Sequence, residues 1–443
     1  MIRASLIALS LSTLGSASAF GKPCPHGKPS ASAGWVSDGP LRDSTLSARG
    51  PGRVPTMETV NMDLAPKERW TAIGKKYASE AYLIVDYLRD QIPAWAFPIL
   101  EEVGKKLDTY KGFGDYGDEM IGLATSLNIS LGDVVMANLV YQLESIGINC
   151  SNWNNTGPTG QCKHDDHDGD GIVWLSEWRE QRDAQRGVVR SPGPPSWAMC
   201  TSVVAQDPSG EVWHGRNLDW NLPSVLRKFI IDVTFTKGGK KYMTGTGLVG
   251  FVGLMNAIRP PGADGASGGF SFSIDARCQG GKILSNLIEM LLAGAATPAQ
   301  HGRRSVDESA SFEAAVAALS DGSLVDEIYY VVAGAAKWEG AVIARSRAKT
   351  EDVWRLDETA PSGATGQAAG WYRLETNYDR DIPVPSADDR RTPGYAHMDA
   401  LTSKGVDASS IYDIMLQWPT FNPHTDYTGV FSPKLGYYNS TVW

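Results

Sequence analysis

The sequence predicts an α+β protein in which one sheet packs on another beneath helical outer layers. Two observations carry this. The apolar residues of the first part recur with the 3.6-residue period of helices, and after Cys200 they follow strand patterns interrupted by helices in blocks. The chain has 443 residues, 42% apolar and 21% charged, ample for a buried core and unlike a disordered, collagen-like or coiled-coil chain. Lys and Arg number 41 against 50 Asp and Glu, a net charge of -9. No overall basic field exists to collect phosphates, so no nucleic-acid partner is expected.

Residues 1–19 read as a secretory signal peptide. Arg3 precedes an apolar stretch centred on residues 6–14, and Ala17-Ser18-Ala19 fits the small-residue cleavage rule. Asn128, Asn149, Asn154 and Asn439 each begin an Asn-x-Ser/Thr triplet and are the expected glycosylation acceptors. Residues 21–53, rich in Gly, Pro and Ser, read as a flexible leader. Helical periods follow at 70–107, broken at Pro93, then at 117–127, and from a Ser130 cap through 143. Residues 149–199 form a polar insert, in which Cys150 and Cys162 are close enough in sequence to be a candidate disulfide. Strands are expected at 201–205 and 211–215 across an Asp207-Pro208-Ser209-Gly210 turn, and at 229–236, 241–246 and 269–275. Helices follow at 281–292 and 311–319, then strands at 327–332, 340–345, 353–356 and 371–375.

Five cysteines leave at least one unpaired in a monomer. Cys200 starts a strand whose hairpin partner returns Arg216 and Asp219, which sets a thiol beside a cation and a carboxylate. A thiolate is the attacking form of cysteine and a neighbouring cation favours it. The same residues read equally as a buried core cysteine with a structural ion pair. His214, on the same strand, reads as a hydrogen-bonded structural histidine.

Four segments together resemble a known family. Cys200-Thr201-Ser202-Val203-Val204-Ala205, His214-Gly215-Arg216-Asn217-Leu218-Asp219, Glu375-Thr376-Asn377-Tyr378-Asp379 and Asp388-Asp389-Arg390-Arg391-Thr392 are similar, in that order, to acid ceramidase and N-acylethanolamine-hydrolysing acid amidase. The resemblance runs from about residue 61 to about 412. It implies an N-terminal nucleophile hydrolase with an αββα sandwich and a helical N-terminal subunit. It further implies that the precursor cuts itself between Met199 and Cys200, giving a mainly helical α-subunit over 20–199 and a catalytic β-subunit over 200–443. Cys200 is then nucleophile and, through its new α-amino group, base. Arg216 and Asp219 position that amino terminus, Asn377 helps bind the oxyanion, and Arg390 completes the site. No cofactor is required for catalysis.

Two features depart from the family. The acid ceramidases join their two chains through a leader cysteine and one soon after the Arg-Arg pair. Here Cys24 is present, but Gly394-Tyr395-Ala396-His397-Met398 holds no partner. This, with Pro383-Val384-Pro385, leans the resemblance toward the acylethanolamine branch. In the insert, Asp166, Asp168, Asp170, Gly171, Ile172 and Glu177 occupy positions 1, 3, 5, 6, 7 and 12 of a calcium loop, although no entering helix precedes them. A structural calcium and a solvated acidic loop are both open readings.

The sequence therefore reads as a self-processing acid amidase of the secretory pathway, lysosomal or secreted, that cleaves the amide of N-acylated lipids. Transient contact with a membrane surface is expected, through the apolar face of residues 82–97 or 283–292. The alternatives are a hydrolase of bile-salt-like or penicillin-like amides, and a non-catalytic secreted calcium-binding glycoprotein.

Overall fold

A computed structural model describes residues 51–91, 115–145, 199–220, 222–262, 268–277, 295–359, 370–384 and 388–443. In the N-terminal part, β1 (Thr56–Asn61) precedes four helices: α1 (Thr71–Tyr77), α2 (Ala81–Gln91), α3 (Asp115–Leu127) and α4 (Leu131–Ser145). The helix expected from residue 70 is divided, because a 3-10 turn at Ala78–Glu80 separates α1 from α2. Ser130 caps α4 as its position predicts, its Oγ accepting from Asp133 N at 3.1 Å. Asn128 closes α3 with φ 57°, a left-handed conformation that asparagine tolerates better than most residues.

Beyond the insert, β2 (Met199–Gln206) and β3 (Val212–Asp219) form the expected hairpin. Gly210 takes φ 88° at its turn, and Asp207 Oδ1 accepts Glu211 N at 2.9 Å. After the short helix α5 (Ser224–Arg227) come β4 (Ile230–Lys237), β5 (Lys240–Leu248), β6 (Asn256–Arg259), β7 (Phe270–Ala276), β8 (Ile328–Gly334), β9 (Gly340–Arg345) and β10 (Thr350–Arg355). With β1 they make an eight-stranded sheet, ordered β1-β4-β5-β6-β7-β8-β9-β10. It is antiparallel except for β1, which lies parallel to β4 at its edge. A five-stranded antiparallel sheet, β11-β2-β3-β12-β13, adds β11 (Tyr372–Glu375), β12 (Thr425–Ser432) and β13 (Tyr437–Val442).

The two sheets face one another, with β2 and β3 over β7 and β8. Helices α6 (Pro298–Glu308) and α7 (Phe312–Ser320) cover the outer face of the larger sheet. Helices α8 (Arg391–Leu401) and α9 (Ala408–Met415) cover the smaller one. This is the αββα sandwich. Side chains on β2 alternate between its two faces, as in any strand. Val204 packs inward against Tyr329 and Val331 of β8, whereas Val203 and Ala205 pack outward with Ile411 and Met415 of α9. Helix α9 approaches so closely that a Cβ on Gly215 would lie 2.7 Å from Ile411 Cγ2, which explains the glycine there.

The N-terminal helices join this body through a buried ion cluster. Glu119 of α3 is fully buried and receives Arg303 Nη2 of α6 and Arg69 Nη1, each at 2.9 Å, and Trp70 Nε1 at 2.7 Å. Four donors on one carboxylate, counting Arg303 Nη1 as well, offset the cost of removing it from water and hold it below its usual pKa.

Candidate active site

Cys200 is the second residue of β2 and points, like Val204, into the space between the sheets, where it is wholly buried. Arg216 faces Ser202 across the β2–β3 ladder, so its guanidinium lies on the same inner face. Its Nη2 donates to Cys200 Sγ at 3.4 Å, and its Nη1 to Met255 O at 2.7 Å. Asp219 is three residues further along β3, an odd step, and therefore emerges on the opposite face. There it accepts from Thr425 Oγ1 at 2.6 Å and Asn422 Nδ2 at 2.8 Å, with Arg390 Nη1 at 3.7 Å.

Asn377 follows β11, and its two amide atoms are used differently. Oδ1 accepts the peptide nitrogen of Cys200 at 3.0 Å and Arg390 Nη2 at 2.6 Å, while Nδ2 donates to Ala276 O at 2.7 Å. Arg390, at the start of α8, also donates to Cys200 O and to Thr201 Oγ1 at 3.2 Å. Asp388 holds its Nε and Nη2, each at 2.9 Å. Four residues expected at one site, from three other segments, are thus brought around Cys200. Arg216 takes the sulfur, and Asn377 and Arg390 take the backbone. Asp219 meets the cluster through Arg390.

Further side chains complete the surroundings, and Tyr141, Ser202, Ser273 and Asp275 among them carry no local signal. Tyr141 of α4 places Oη 3.5 Å from Cys200 Sγ. Behind the thiol, Ser202 Oγ donates to Asp275 Oδ1 at 2.8 Å and meets Ser273 Oγ at 2.9 Å. His214 is held at both ring nitrogens, by Ser271 and Ser273 at 3.0 Å each, which is the structural role expected of it. A polar residue inside an apolar strand was the one available sign of this network.

Burial dominates the electrostatics. It pushes the Cys200 thiol up to about 11, against the pull of Arg216. Burial also raises Asp275 to about 7 and Asp219 to about 6, opposed by Arg216 and Arg390 respectively. His214 falls to about 3 through burial and then Arg216, and so is neutral. In the continuous chain the thiol is held protonated, and its own nitrogen is a peptide amide with no basic lone pair.

Asn128 and Asn439 are exposed, as glycosylation acceptors must be. Asn149 and Asn154, the Cys150–Cys162 pair, the calcium-loop residues Asp166, Asp168, Asp170, Ile172 and Glu177, and residues 1–19 lie outside the described residues. So do 92–97 and 283–292 of the faces expected to touch a membrane. Within 82–91, Tyr82 is 58% exposed, while Ile84 and Leu88 are core. Among the described residues no group of three or more His, Cys, Asp or Glu side chains could hold a metal ion. No single described helix is long and apolar enough to cross a membrane.

The family model for the beta subunit of N-acylethanolamine-hydrolyzing acid amidase matches residues 52–112. The N-acylethanolamine-hydrolyzing acid amidase of Mus musculus is 30% identical over 389 residues, 87% of this chain and 88% of that protein. The chain belongs to the N-acylethanolamine-hydrolyzing acid amidase family. Acid ceramidase of Homo sapiens is 25% identical over 435 residues, 92% of this chain and 90% of its own length. A solved structure of the Caenorhabditis elegans N-acylethanolamine-hydrolyzing acid amidase ortholog is 27% identical and matches 55% of this chain and all of that one, with a TM-score of 0.48.

Two cavities open among the described residues of this member of the N-acylethanolamine-hydrolyzing acid amidase family. The first, of about 30 Å³, is apolar and lies between α2, α4 and the segment after β3, with Leu88, Val140, Trp220 and Phe229 in its wall. Trp220 meets the Tyr141 ring edge-on at 5.4 Å, so this cavity ends one side chain from the sulfur. The second, of about 940 Å³, is polar and opens where β9 and β10 extend past β11, the edge strand of the smaller sheet. Its wall includes Arg277, Trp354, Glu375 and Asp379. Arg277 follows Ala276, and Glu375 and Asp379 lie two residues either side of Asn377.

Proposed function

We propose that this protein is an amidase that cuts its own chain between Met199 and Cys200 and then hydrolyses N-acylated lipids to a fatty acid and an amine. The observation that carries the reading is the double hold on Cys200, with Arg216 on its sulfur and Asn377 on its nitrogen. Cutting at that bond turns the nitrogen held by Asn377 into a free α-amine, a base with an ordinary pKa near 8. The amine takes the thiol proton, and Arg216 stabilises the thiolate as it forms. Sulfur attacks the amide carbon, the amine product leaves with the proton, and water then hydrolyses the thioester. No histidine is needed, and His214 keeps a structural place.

The sandwich divides the substrate by polarity. The apolar cavity beside Trp220 suits an acyl chain, and at about 30 Å³ it must widen to admit one, α2 and α4 being the elements that can part. The polar cavity beyond Glu375 suits the amine end. Processing would leave residues up to Met199 and from Cys200 onward as two associated subunits, and the leader and acceptor triplets fit a lysosomal or secreted glycoprotein.

A panel of N-acylethanolamines and ceramides offered to the processed enzyme at acid pH tests the substrate class, with Cys200→Ala as control. N-acylethanolamines should turn over at least as well as ceramides, and the variant should neither cut itself nor hydrolyse either. Turnover of ceramide alone would overturn the acylethanolamine preference. Turnover by Cys200→Ala would overturn the nucleophile.

A further inference from the structure

We propose that Tyr141 is a catalytic residue contributed by the N-terminal helices, its hydroxyl donating first to Cys200 Sγ and then to the carbonyl oxygen of the amide that this sulfur attacks. The inference rests on the reading of Cys200 as nucleophile. Tyr141 Oη and Arg216 Nη2 both lie on the sulfur, at 3.5 and 3.4 Å. The tyrosine is wholly buried, and its ring is fixed edge-on against Trp220 with an interplanar angle of 90°. The hydroxyl is therefore aimed rather than merely near. Burial, and then the neighbouring sulfur, push the phenol well above its ordinary pKa, so it stays a donor through the acid and neutral range.

Asn377, the donor that family resemblance implies, also carries structural bonds. Its oxygen accepts from two N–H donors, Cys200 N and Arg390 Nη2, while one of the two N–H groups of its amide nitrogen donates to Ala276 O. Exchanging the two amide atoms would set N–H against N–H twice, so the network fixes this orientation. The second N–H of the amide can still face a developing oxyanion, so Tyr141 acts beside Asn377 rather than in its place. Among the described residues the Tyr141 hydroxyl has no hydrogen bond beyond the sulfur. An oxyanion on the carbon bonded to Sγ forms within a bond or two of that atom, inside the hydroxyl's reach.

The step balances as follows. The thiol proton passes to the α-amine and the sulfur lone pair forms the C–S bond. The carbonyl π pair moves onto oxygen, where Tyr141 donates to it. As the C–N bond breaks, that pair returns and the α-ammonium proton leaves on the amine product. Water then attacks the thioester with the same amine as base, and the proton returns to sulfur. Tyr141 keeps its own proton throughout.

Tyr141→Phe removes the hydroxyl and keeps the ring on Trp220. Measured on full-chain protein and counted per mole of chain beginning at Cys200, kcat for N-acylethanolamine hydrolysis should fall about 10²-fold or more with KM within about twofold. A merely structural tyrosine would lower melting temperature or change KM instead. Unchanged kcat, or a loss confined to KM, overturns the proposal. Should the phenylalanine variant not fold, 3-fluorotyrosine at position 141 keeps both shape and hydroxyl while making it a stronger acid. It should alter kcat at constant KM, and an identical kcat likewise overturns the proposal. Activity in Cys200→Ala would instead defeat the nucleophile reading beneath it.

Discussion

The peptide nitrogen of Cys200 donates to Asn377 Oδ1 at 3.0 Å, in a strand that still runs unbroken from Met199. The atom that processing would convert to a base is thus seated before the bond is cut. Asn377 is seated in turn by Arg390 and Ala276.

Asn377→Ala should therefore act on both reactions. It removes the acceptor that orients the Cys200 nitrogen and leaves Arg390 Nη2 buried without this partner. Misplacement of a catalytic group by about 1 Å costs about 10²-fold, and a loss of that order is expected in self-cleavage and in lipid-amide kcat. Gel analysis of freshly made precursor and steady-state kinetics check it. Cleavage at the unaltered rate would remove Asn377 from the machinery.

Glu119 of α3 and Arg303 of α6 would lie on different subunits after processing, and Cys200 is the sole cysteine among the described residues. Glu119→Gln leaves the Arg303 guanidinium buried without its counter-charge, a change that costs about 3–5 kcal/mol. Urea unfolding should show this loss, and the processed subunits should separate more readily on size exclusion. Unchanged stability would make the cluster incidental.

Stability should fall as pH rises from about 6.5 to 8. Burial raises Glu375 to about 8, and Asp275 and Glu327 to about 7. In this window the folded chain holds protons that the unfolded chain has already released, and such groups oppose folding as pH rises. His214 and His301, lowered to about 3 and 4 by burial, act below 6.5, where the unfolded chain gains protons and the folded chain does not. Above 6.5 the unfolded imidazoles are less than half protonated and their opposing effect fades, so the three carboxyls dominate. Melting temperature should be a few degrees lower at pH 8 than at pH 6.5. An equal or higher value would contradict the burial of these carboxyls.

The hairpin around Cys200 was legible because its strands alternate cleanly and its turn is chemically marked, and Gly340–Arg345 matched its expected bounds. Other elements were hidden by the tertiary structure they serve. Strand β12 reads as polar, Thr-Asp-Tyr-Thr-Gly-Val-Phe-Ser, yet it is buried throughout, because Thr425 and Thr428 satisfy Asp219 and Asn217. In β1 only Val60 is buried, and its pairing to β4 spans some 170 residues, beyond any local pattern. Helix α8 begins Arg391-Thr392-Pro393-Gly394, and α6 buries Gln300 and Arg303 where apolar residues would have signalled a helix. The candidate site divides in the same way. The four segments mark their residues in the sequence, whereas Tyr141 sits in an apolar helical stripe and Asp275 in a strand, with nothing local to connect either to a thiol.

The central claim is that the α-amine of Cys200 is the catalytic base, so hydrolysis cannot precede the cut. Intact-mass spectrometry of the active fraction tests it most directly. The account predicts a chain that begins at Cys200, in amounts that track amidase activity. Full activity in a chain still intact across Met199 and Cys200 would contradict it.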